Sequence, residues 1–130
     1  MIKPERQLRL SHSVRYPETY KAWYDSLEGR SARLLNKARA RAKQRGIICT
    51  LTHKWILERL EQGKCSVTGL PFKLGTKRGP WTPSIDRIDL TDGYTLENSQ
   101  VVVWLYNAAK GDCTHEDVLV LAQALTGGVK

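Results

Sequence analysis

The chain is poor in the residues that mark secreted, fibrous or membrane-spanning proteins. Three cysteines, an odd number with no CxxC pair, argue against a disulfide framework and fit a reducing compartment. Five prolines and ten glycines are scattered rather than periodic, which excludes collagen-like and low-complexity chains. The longest uncharged apolar run, Val101 to Leu105, falls far short of the ~20 residues that cross a bilayer, and the opening MIKPERQLRL lacks the apolar stretch of a signal peptide. A soluble protein of the cytoplasm is expected. Acidic residues are also scarce, and unevenly so. Of 21 Lys and Arg, 12 lie in residues 1–50 against 4 Asp and Glu, whereas residues 51–130 carry 9 of each. The net +8 therefore belongs to the first half, the footprint of a polyanion-binding surface, with nucleic acid ahead of an anionic membrane. A solvated basic face kept for solubility is the plainer alternative.

What is present describes a folding chain. At 130 residues, 41% hydrophobic and 26% charged, it can bury one core, so a single domain over residues 1–130 is expected. Residues 1–15, with few apolar anchors, read as a flexible arm, and residues 16–63 as a basic helical region. Pro17 suits a first helical turn, and Tyr20, Trp23, Tyr24 and Leu27 recur at i, i+3, i+4 and i+7 up to Gly29. Ser31 is the expected cap of a second helix, with Leu34, Leu35, Ala38 and Ala42 on one side and Gly46 as its stop. Arg33, Lys37, Arg39, Arg41 and Lys43 fill most of its remaining circumference, as a phosphate-facing helix would. Thr52 caps a third helix ending at Gly63, with Leu51 and Ile56 as a hydrophobic staple.

Residues 64–113 read as the core unit: a turn at Thr68-Gly69, a basic loop from Lys73 to Pro83 carrying Lys77, Arg78 and Trp81, then a strand from Ser84 to Ile88. A second strand spans Ser99 to Val103 and a helix runs from Trp104 to Lys110. Thr114 and Asp117 form a capping box for a last helix over residues 114–126, with Val118, Leu119, Ala122 and Leu125 as its apolar face. The expected class is α+β, a helical frame around one β-hairpin. A hairpin laid on a helix in that order could bring together polar groups from three elements: Asp86 from the first strand, Asn98 from the connection, Asn107 from the helix, and Lys110 one turn later. A carboxylate and an amide oxygen are hard ligands suited to Mg²⁺ or Mn²⁺, with Lys110 as a point charge for a substrate phosphate.

The runs CSVTGLPF, SIDRID, GYTLEN and VVVWLYNAAKGD, in this order and spacing, resemble the HNH endonuclease superfamily, particularly its small phage-type members. The likeness extends through LLNKARARAKQRG and LTHKWILERLEQ and covers roughly residues 31–126. It implies a ββα-metal finger and a divalent-metal-dependent DNA endonuclease, nicking or cutting both strands, in a bacterial or phage-infected cell. It further implies that Asp86 and Asn107 ligate one Mg²⁺ or Mn²⁺ and that Asn98 braces the loop. The general-base position, usually His, holds Arg87, a fixed charge able to stabilise the transition state but not an ordinary base. Tyr94, Tyr106, His53 and His115 are other groups for that proton. Thr68 stands where a second zinc thiolate would follow Cys65, so no structural zinc of that type is expected. Cys49, Cys65 and Cys113 read as small buried hydrophobes rather than as an improvised site with His53 and His115. Duplex DNA is the expected partner, gripped by the basic helix and by Lys77 and Arg78, with no small-molecule cofactor. Arg87 keeps open a second reading, a catalytically weak nucleic-acid-binding module or an accessory of a phage packaging or recombination machine. Structured RNA is a third partner that the basic helix would suit.

Overall fold

The computed structural model describes residues 17–75 and 77–127, so the arm expected over residues 1–15 lies outside the described residues. Among the described residues, five helices and a hairpin follow one another: α1 (Pro17–Asp25), α2 (Leu27–Arg45), α3 (His53–Gln62), β1 (Pro83–Arg87), β2 (Ser99–Val103), α4 (Trp104–Lys110) and α5 (His115–Leu125). The class is α+β, with one antiparallel two-stranded sheet among the described residues.

The first helical boundary differs from the expected one. Ser26, not Ser31, is the cap of α2: its backbone is extended and its Oγ accepts the Gly29 amide at 3.1 Å while donating to the Trp23 carbonyl. Ser31 lies inside the helix, buried, and its hydroxyl donates to the Leu27 carbonyl at 2.8 Å. Gly29 is therefore not a stop. It allows α1 and α2 to fold back at close range, because a Cβ there would stand 2.0 Å from the Trp23 carbonyl oxygen. The other ends follow their local signals. Gly46 and Gly63 close α2 and α3, Thr52 accepts the Trp55 amide at 3.2 Å, and Leu51 and Ile56 are buried beside one another in the same cluster.

Strand register divides the core in two. Ile85 pairs with Val101 and both join Leu35, Ala38, Leu60 and Tyr94 beneath α2 and α3. Val102 belongs to the opposite layer, with Val103, Cys65 and Tyr106. Ser84 and Asp86 alternate with Ile85, which directs them to the side where α4 lies. Cys113 is exposed and Cys49 half-buried, so only Cys65 is the buried small hydrophobe expected of all three.

The start of α5 is the expected capping box, with Asp117 and Thr114 exchanging hydrogen bonds at 3.0 and 3.1 Å. Its apolar face, however, is not core. No residue of α5 is buried, and Leu119, Val120, Leu121 and Leu125 are exposed. The short turn after α4 brings only the beginning of α5 onto the body, through half-buried Val118 and a 2.9 Å hydrogen bond between His115 Nδ1 and the Tyr106 hydroxyl. Among the described residues no helix is long and apolar enough to cross a membrane.

Gly29→Ala separates the two meanings of that glycine. Helix propensity alone would stabilise by about 1 kcal/mol. The clash with the Trp23 carbonyl reverses the sign, and urea denaturation is expected to show a loss of about 1–3 kcal/mol, with Gly75→Ala, which meets nothing within 4 Å, close to neutral.

Candidate active site

The hairpin and α4 hold the polar residues singled out in the sequence. Asp86 faces Gln100 across the strand pair, and Gln100 Nε2 donates to its Oδ2 at 2.9 Å. Lys110, at the last turn of α4, reaches back so that Nζ lies 3.0 Å from both carboxylate oxygens. It also donates to the Arg87 carbonyl at 2.6 Å. Asp86 is 3% exposed and Lys110 2%. An ammonium has three protons to place, and Lys110 places them on β1. The expectation that Lys110 offers a charge to a substrate phosphate is thereby corrected: its charge is buried and spent on Asp86.

Asn107, three residues before Lys110, turns Nδ2 inward to Ser84 Oγ at 2.8 Å and the Ile85 carbonyl at 3.0 Å. This fixes the amide so that Oδ1 is the end left without a protein partner among the described residues. Asp86 and Asn107 line one cleft of about 360 Å³ together with Arg87, Arg41, Arg45 and Asp112. The hard donors here are unequal: Asp86 accepts three hydrogen bonds of about four possible, two of them from the Lys110 ammonium, whereas Asn107 Oδ1 has no partner among the described residues. No three His, Cys, Asp or Glu side chains gather among the described residues, so the set is limited to this carboxylate and amide, with Lys110 as a close cationic neighbour.

Asn98 ties the loop between the strands. Its Oδ1 accepts the Asp89 amide at 2.8 Å, and its Nδ2 donates to the carbonyls of Asp89 and Gly93, each at 2.9 Å. Arg87 works on the same loop from below. Its Nη1 donates to the Leu90 and Asp92 carbonyls at 3.0 and 2.9 Å, and its guanidinium lies 5.4 Å from the centre of the Tyr94 ring. Within the loop, the Thr91 hydroxyl and amide hold the exposed Asp89 carboxyl below its usual range. Tyr106 is unsuited to act as a base near neutral pH. Burial, then the nearby charges of Asp86, Cys65 and Glu116, push its phenol up, and its hydroxyl is already paired with His115. His53 is elsewhere, on the Glu28 carbonyl at 3.0 Å.

The basic helix divides into two faces. Arg33, Lys37 and Arg41 line a second cleft of about 200 Å³ with Arg78, while Arg41 and Arg45 line the wider one. Arg39, Lys43 and Lys77 are exposed and line neither. Arg33 packs its guanidinium 3.4 Å from the centre of the Tyr24 ring, and Arg78 sits 4.9 Å from that of Trp104. Gln100, Ser84 and Asp112 were not singled out from sequence. Ser84 and Gln100 follow from strand alternation and register once the hairpin is known; Asp112 carried no signal beyond its nearness to Lys110.

Lys110→Met leaves the Asp86 charge buried without its cation and is expected to cost about 3–5 kcal/mol in urea denaturation. The double variant Asp86→Asn/Lys110→Met is expected to lose less than the sum of its single changes, the signature of direct coupling. Asn98→Ala, which frees the Asp89 and Gly93 backbone groups, is expected to cost about 3 kcal/mol by the same measurement. No protein-family profile, no curated protein and no solved structure matches this chain.

Proposed function

We propose that the chain is a divalent-metal-dependent DNA endonuclease of the HNH type that hydrolyses phosphodiester bonds at the wide cleft. The observation that carries this reading is a hard-oxygen pair, Asp86 and the outward amide oxygen of Asn107, lining a cleft with a basic wall. Asp86 and Asn107 would hold Mg²⁺ or Mn²⁺. When bound, the ion supplies Lewis-acid neutralisation of phosphate charge. Arg41 and Arg45 attract and orient the phosphodiester, and Arg87 adds a fixed positive charge that favours the more negative transition state. Asn98 keeps the loop, and through it Arg87, in place. Asp112 is the carboxylate on this wall that has no cation partner among the described residues, and it takes the proton of the attacking water.

One observation favours a second reading, a nucleic-acid-binding module that does not cut: the Lys110 ammonium already occupies both oxygens of Asp86. Supercoiled plasmid incubated with Mg²⁺ or Mn²⁺, against EDTA, decides between them. Metal-dependent nicking is expected, reduced about 100-fold by Asp112→Asn and to background by Asn107→Ala, with thermal melting confirming that both variants fold. Salt-sensitive DNA binding without nicking under any divalent metal would leave the binding module. Nicking that survives Asn107→Ala unchanged would remove Asn107 from the site.

A further inference from the structure

The two clefts adjoin along a shared wall, and we read them as one groove. Arg41, Ser84, Ile85, Tyr94 and Trp104 belong to the walls of both, so the narrow part between α2 and the start of β1 opens directly into the part that holds Asp86 and Asn107. One wall is a single ridge of α2: Arg33, Lys37, Arg41 and Arg45 stand four residues apart. Four residues advance about 6 Å along a helix and turn about 40° past a full revolution. The row is therefore a slanted line of positive charges at a repeat close to that of successive phosphates on an extended strand. None of the four is paired with a carboxylate among the described residues, where the ion pairs are Arg59–Glu58 and Lys110–Asp86. Among the described residues, the only carboxylates on either wall are Asp112 and Asp86, the latter neutralised by Lys110.

The opposite wall offers an aromatic. Trp104, half-buried at the start of α4, borders both parts of the groove with the Arg78 guanidinium near its ring. Cations in line with an aromatic–guanidinium pair are the combination by which proteins hold unpaired strands, phosphates on one side and bases stacked on the other. The volumes are about 200 and 360 Å³, the larger within the range of small-molecule sites.

We propose that this groove is a channel for one unpaired phosphodiester strand, which it delivers to Asp86 and Asn107. The destination rests on the nuclease reading above; the binding does not. The α2 ridge takes the backbone and Trp104 takes a base, so frayed, branched or single-stranded nucleic acid is preferred over continuous duplex. Arg39 and Lys43, on the same helix but outside the groove, take no part.

The test is binding by the full-length protein in EDTA, where no cutting intervenes. The probes are a fluorescein-labelled 12-nucleotide DNA strand, the RNA strand of the same sequence, and a blunt duplex of equal length. The single strand is expected to bind at least fivefold tighter than the duplex and to quench tryptophan fluorescence, with the quench lost in Trp104→Phe. Its affinity is expected to fall with salt at a logarithmic slope near −3, about 0.7 for each of four phosphates. Lys37→Glu/Arg41→Glu is expected to weaken binding at least tenfold and roughly halve that slope, while Arg39→Glu/Lys43→Glu, an identical change in charge, shifts it less than threefold. Binding of either strand supports the channel, and the ratio between them assigns its sugar. Duplex bound as tightly as single strand, or equal losses from the two charge reversals, overturns it. If the strand binds as described and neither the strand nor plasmid is cut with Mg²⁺ or Mn²⁺, the nuclease reading fails and the channel stands; metal-dependent cutting with equal charge-reversal losses does the reverse.

Discussion

A lysine ammonium removed from water has to find acceptors for three protons, and the Lys110 solution fixes the geometry of everything around it. By reaching from the last turn of α4 to both oxygens of Asp86 and to the Arg87 carbonyl, it ties the short helix to the strand at the point where the candidate chemistry lies. Gln100 closes the third side from the neighbouring strand. The desolvation cost of two ions is offset here by good geometry and by hydrogen bonds to the remaining acceptors, the condition under which buried pairs hold. Asn107, on the same helix, is carried into place by this attachment and secured by Ser84. Stability and site are thus the same set of contacts.

The loop between the strands obeys a second constraint. Eleven residues connect β1 to β2, and they are shaped by side chains from either end: Asn98 bonding inward to Asp89 and Gly93, and Arg87 to Leu90 and Asp92. Gly93 allows the segment through Ile48 to approach, since a Cβ there would lie 2.7 Å from the Ile48 carbonyl oxygen. The adjacent bridge between Cys49 and Tyr94 brings the floor of the groove under α2. Arg87 is the clearest departure from the expected role of its position. A guanidinium can bind two carbonyls and border a cleft at once, which a neutral imidazole with one donor could not.

Much of this was legible along the chain because the signals were local. The capping box at Thr114, the stop at Gly46, the staple of Leu51 with Ile56, and the limits of β2 and α4 each depend on residues within a few positions of one another. The failures were tertiary. Gly29 looks like a terminator until the Trp23 carbonyl is known to lie against it. Ser31 resembles a cap until the hydroxyl of Ser26 is found five residues earlier. In the site, spacing placed Lys110 beside Asn107 but carried no information on whether its ammonium points to solvent or to β1. The division of the basic helix into a groove-lining ridge and an idle face also needed the position of β1, because sequence gives the row and not the direction it faces.

The attachment of α5 has a different consequence. The helix meets the body through Val118 and the pairing of His115 with Tyr106, and none of its residues is fully buried. A segment with so few contacts opens at a free energy well below that of the whole, as an independent cooperative unit. The clusters that hold the hairpin, α4 and the groove take only Val118 from this helix, so unravelling its distal turns would remove none of their buried contacts.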